Sequence, residues 1–126
     1  MKILVFGNPL IEEDSIPIKL IPSLKKEFPN IQFKEFETEE ELKDEGKNLI
    51  LMDAICGIKK TIIIEDIEQL DSNRIVSMHD FGLSHNLKLL KKIGYIDSVK
   101  IIGLPQKISI EDALKQVKEK IKSILV

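Results

Sequence analysis

Five runs of five or six residues constrain this chain most: Lys2–Phe6 (KILVF), Ile31–Phe36 (IQFKEF), Asn48–Asp53 (NLILMD), Lys60–Ile64 (KTIII) and Ser98–Ile102 (SVKII). Each is rich in aliphatic and β-branched residues and too short for a helix of ordinary length. Lys2–Phe6 and Asn48–Asp53 are continuously apolar, the pattern of strands buried on both faces. Ile31–Phe36 alternates and reads as half-exposed. Strands buried on both faces need helices on both sides. The expectation is an α/β fold, a three-layer α/β/α sandwich with a mostly parallel sheet of about five strands. Lys60–Ile64 follows Asn48–Asp53 too closely for a parallel crossover, which needs about a dozen residues or more. That spacing predicts one antiparallel strand, hairpin-paired with its predecessor.

Helical periods fill the gaps. Pro17 and Pro22 predict a kinked or late-starting first helix, capped by Asp14 or Ser15 and finished near Phe28, before Pro29. Thr38 with Glu39–Glu41 has capping-box spacing for a short acidic helix that ends by Gly46. Leu83, Leu87, Leu90 and Ile93 mark an amphipathic helix closed by Gly94. Ser109, with Asp112 three residues on, caps a last helix whose stripe is Ile110, Ala113, Leu114, Val117, Ile121 and Ile124.

Composition narrows the function. The 126 residues, 43% hydrophobic and 32% charged, suit one ordinary domain spanning 1–126. Lys and Arg number 19 against 21 Asp and Glu, so the basic excess of a general nucleic-acid binder is missing. No run approaches the ~18 apolar residues of a membrane span. Ile3–Phe6 is too short for a signal sequence, and Glu12, Glu13 and Asp14 soon follow. A lone cysteine forms no internal disulfide. The expectation is a soluble cytoplasmic protein with neither nucleic acid nor membrane as partner.

Open α/β sheets bind ligands at the carboxyl ends of their strands. Gly7–Asp14 (GNPLIEED) lies there after the first strand. It lacks the glycine spacing of a dinucleotide or phosphate loop, but it presents three acids in a row, as a solvated helix cap also would. Asp53 stands at the lip of a buried strand, where a carboxylate is costly unless paired or bound; a turn aspartate is the plainer account. Cys56 has no base beside it and reads as a small buried hydrophobe, not a nucleophile. His79, in Ser77–Phe81 (SMHDF), is placed where an imidazole can be presented to a metal. His85 is six residues on, about 120° around a helix, and reads as a surface or packing residue. Two carboxylates and an imidazole from separate segments suit a divalent transition metal with open positions.

Together these segments resemble the hydrogenase maturation endopeptidases, which process the large subunit of nickel–iron hydrogenases. Gly7-Asn8, then Leu10 and the paired acids Glu13-Asp14, matches the family's first element. Asp53-Ala54 followed by Gly57 matches the second, one residue shorter. Ser77-Met78-His79 before a leucine-rich helix matches the third, and Ile101-Ile102-Gly103 and a terminal helix complete the order. The resemblance implies metal ligands at Asp14, Asp53 and His79, and substrate contacts at Gly7, Asn8 and Gly57. It names no separate catalytic residue, so the three ligands are the best candidates. It further implies an aspartyl-type hydrolase whose nickel is supplied by the substrate, another divalent metal being able to bind the isolated protein. The partner implied is the large-subunit precursor.

The chain departs from the family at Glu35–Glu39, where glycine-rich sequence is common, and at Pro17, where a glycine is usual. Leu104–Ile108 is a shortened link between the last strand and last helix. These departures leave open a binding or assembly domain of the same fold without catalysis. A receiver-like signalling domain, with Asp53 as phosphoacceptor, is the less favoured alternative, because no lysine ends the last strand.

Overall fold

In the computed structural model, residues 1–7, 10–36, 42, 44–69, 77–78 and 81–125 are described. The expected helix from Thr38 falls largely outside them, as do Asn8 and His79. In chain order the elements are β1 (Lys2–Phe6), α1 (Glu12–Glu27), β2 (Gln32–Phe36), β3 (Asn48–Cys56), β4 (Ile62–Ile64), a 3-10 turn (Ile67–Gln69), β5 (Ser77–Met78), α2 (Phe81–Lys92), β6 (Ser98–Pro105) and α3 (Ile110–Leu125).

The strands form one mixed sheet of order β2-β1-β3-β6-β4, with β5 paired to β3. The pairs β1·β2, β1·β3 and β3·β6 are parallel, while β4 runs antiparallel to β6. The fold is the expected mostly parallel α/β sandwich, and helices pack on both faces. Ile16, Leu20 and Leu24 of α1 and Ala113, Val117 and Ile121 of α3 share one core with Ile3, Val5, Met52 and Ile102. Leu87 and Leu90 of α2 share the other with Leu4, Phe6, Leu51, Ile55 and Ile101. The side chains along β1 and β3 thus alternate between two apolar layers, as their continuous apolar sequence requires.

Three local expectations are corrected. β4 does not pair with β3, because β6 lies between them. β6 places Val99 and Ile101 in one core and Ile102 and Leu104 in the other, so it needs neighbours on both sides. The three-residue, half-buried β4 suits the sheet edge. α1 begins at Glu12 with Ile11 at the cap position and carries both prolines inside, so Asp14 and Ser15 belong to its first turn. An interior proline costs ~3 kcal/mol or more, whereas burial of each large aliphatic side chain contributes roughly 1.5–3 kcal/mol. Ile16, Leu20, Ile21 and Leu24 are all buried, which offsets the two prolines. Ile93 and Ile110 are largely exposed. The chain turns at Gly94, where the Tyr95 and Ile96 amides reach the Leu90 carbonyl, and Ile96 enters the core instead of Ile93.

The final helix is capped as its sequence predicts. The Asp112 amide donates to Ser109 Oγ at 3.1 Å, and the Ala113 amide to the Ser109 carbonyl at 2.9 Å.

Candidate active site

The chain leaves β1 outward to β2, then returns across β1 to build β3 on its other side. The strand order therefore reverses between β1 and β3, and the crevice beyond their carboxyl ends is where such sheets bind ligands. Gly7, Asp14 and Asp53 all belong to this end of the sheet.

Asp53 is not at the lip of its strand. β3 continues to Cys56, and Asp53 pairs with Gly103 of β6. Val5 of β1 pairs with Met52, so Asp53 stands level with the last residue of β1. Its period-two neighbours Leu51 and Ile55 belong to the core beneath α2, which sets Asp53 on the same face. The side chain has no exposed surface, and its Oδ1 accepts the Ala54 amide at 2.9 Å. A carboxylate costs several kcal/mol to bury even when it is hydrogen-bonded, and such residues gather at functional sites.

Asp14 reaches the same end of the sheet from α1. It is 7% exposed, and Gln106 Nε2 donates to its Oδ1 at 3.3 Å. A negative side chain in the first turn is favoured by the helix dipole. Gly7 sets the distance between strand and helix, because a Cβ there would lie 2.4 Å from the Asp14 carbonyl oxygen. Gly57 has φ 93°, a left-handed turn conformation suited to glycine, and it reverses the chain directly after β3.

The segment leading to His79 is tied to β3. Ser77 pairs with Cys56 and Met78 with Ile55, antiparallel. The residue before His79 is thus held two positions from Asp53. Among the described residues no three His, Cys, Asp or Glu side chains form a metal-binding group, and His79 lies outside them. Asp14 and Asp53 each carry a carboxylate, a hard oxygen donor, at this end of the sheet. His85 is exposed on α2, beside Lys88 and Lys92. Cys56 is exposed as well, contrary to its expected burial, since it ends β3 where the strand leaves the core.

Sequence reasoning missed Gln106. It lies 92 residues from Asp14, and no local pattern links the two.

The chain matches the HycI family, described as hydrogenase maturation protease, over residues 36–125. It belongs to that family. The matched stretch holds Asp53, Gly57 and His79, while Gly7, Asn8 and Asp14 precede it. The solution structure of an endopeptidase HycI from Escherichia coli superposes with a TM-score of 0.62 at 18% identity, covering 100% of this chain and 92% of that one. The crystal structure of an uncharacterized protein from Wolinella succinogenes gives 0.60 at 15% identity, covering 99% and 98%. At these identities the likeness is one of fold. No curated protein sequence matches the chain. The family is one of proteases acting in hydrogenase maturation, and the sheet and its helices are those of that fold. No described helix is long and apolar enough to cross a membrane.

Proposed function

We propose that this chain is a cytoplasmic endopeptidase that recognises nickel held in the precursor of a nickel–iron hydrogenase large subunit and removes the precursor's C-terminal extension. The observation that carries the reading is Asp53, a wholly buried carboxylate on a central strand at the point where the strand order reverses. Such a residue costs stability, and groups of this kind gather at functional sites.

On this reading Asp14, Asp53 and His79 complete the coordination of a nickel ion that the substrate holds mainly through cysteine thiolates. Two carboxylates and one imidazole are too few and too hard to strip nickel from thiolates, so they suit inspection of the metal. Gly7, Asn8 and Gly57 shape the backbone that the substrate meets. Hydrolysis consumes one water and leaves a new carboxylate on the large subunit and a new amine on the released peptide. Family membership leaves no support for the receiver-like alternative.

The test is to incubate the protein with nickel-loaded and nickel-free precursor and measure the mass of the large subunit. Loss of a C-terminal peptide from the loaded form alone is expected, and Asp14→Asn, Asp53→Asn and His79→Ala should each abolish it. Equal cleavage of both forms would overturn nickel recognition. Binding without cleavage would instead identify an assembly domain of the same fold.

A further inference from the structure

We propose that Gln106 is a positioning residue that holds the Asp14 carboxylate in the orientation needed to meet the substrate's nickel. The inference rests on the reading of Asp14 as a nickel ligand and extends it to a residue outside that set.

Both ends of the Gln106 segment are anchored. It directly follows Pro105, the last residue of β6, which pairs with Ile55 of β3. Three residues later Ser109 caps α3. The connection is therefore short and held on both sides, and it carries the Gln106 side chain from the sheet centre to the first turn of α1. There the Nε2 group donates to Asp14 Oδ1. The Asp14 backbone is fixed in turn by its close packing on Gly7. The neighbouring Ser15 hydroxyl donates to the Glu12 carbonyl. With one carboxylate oxygen engaged by Gln106, the side chain is restricted and its second oxygen is left for a ligand.

The chemistry of the donor matters. A glutamine amide orients a carboxylate without neutralising it, so the negative charge remains available to a cation. A lysine in the same place would hold Asp14 through an ion pair and compete with the metal. Lys107, the next residue, is exposed. Gln106 and Lys107 also line a groove of about 440 Å³ with Glu12, Ile16 and Lys19, so a substrate contact there must be separated from positioning.

The experiment compares the affinity of the full chain for nickel-loaded and nickel-free precursor by surface-immobilised binding, together with cleavage and thermal midpoint. Gln106→Met keeps the side-chain length and removes the donor. It should reduce the preference for the loaded precursor about tenfold, the scale of lost support to a metal ligand. Affinity for the nickel-free form and the thermal midpoint should be unchanged. Gln106→Lys should lower the preference as well, whereas Lys107→Met should retain it. Full preference in Gln106→Met, or equal weakening toward both precursors, would overturn the positioning role while leaving nickel recognition intact. If the wild-type chain shows no preference, nickel recognition fails and the role of Gln106 fails with it.

Discussion

The carbonyl oxygen of Asp14 occupies the space that a side chain on Gly7 would need, since a Cβ built there would lie 2.4 Å away. The end of β1 and the first turn of α1 are thus packed backbone to backbone. Gly7→Ala forces one of them to move, and overpacking of this kind costs about 1–3 kcal/mol. Urea denaturation should show that loss. Preferential binding of nickel-loaded precursor should fall too, because the same shift displaces Asp14.

Glu45 joins two strands through Lys2 of β1 and Lys34 of β2. Hydrogen bonds from Lys2 and then Lys34 hold its carboxyl below the ordinary glutamate value, against the opposing effect of burial. A carboxyl with a lowered folded pKa binds its proton more readily in the unfolded chain. It therefore contributes stability above the ordinary glutamate pKa, and that contribution is lost as pH falls through the lowered value. Acid titration of the unfolding midpoint should show this loss, and Lys2→Met with Lys34→Met should make the acid limb shallower.

Gln116 of α3 accepts the Thr61 amide at 2.8 Å, tying the start of β4 to the helix. Thr61 is buried, and an amide deprived of its acceptor there costs about 1–3 kcal/mol. Gln116→Met should lower the unfolding free energy by that amount in chemical denaturation. It should lower the precursor preference less than Gln106→Met does, since the hydrogen bond from Gln106 to Asp14 is untouched.

Removing the α3 cap with Ser109→Ala should cost about 1 kcal/mol. Thermal unfolding measures this directly. If Ser109 also helps to anchor the Gln106 segment, the variant should reduce nickel discrimination less than Gln106→Met does.

Local interactions made much of this molecule legible from its residues. Ser109 and Asp112 announced a helix start because the capping bond spans three positions. The apolar runs of β1 and β3 announced central strands because both faces of each had to be buried. Gly7, Asp53 and the segment before His79 could be assigned to one end of the sheet by chain order alone, and the family resemblance followed the same segments.

Long-range pairing was decided only in three dimensions. The short link from β3 to β4 gave no sign that β6, a strand much later in the chain, would insert between them. Cys56 lay among apolar neighbours in sequence yet stands exposed where β3 leaves the core. Asp53 looked like a strand-end residue until β6 extended the ladder past it. The Gln106–Asp14 hydrogen bond spans 92 residues, so neither residue's neighbours could reveal it. What the sequence determined by itself was the set of elements and the chemistry each could carry, because backbone propensity, capping and hydrophobic period act over a few residues. Tertiary structure decided which strands became neighbours and which side chain supports Asp14, because those choices depend on filling both core layers at once.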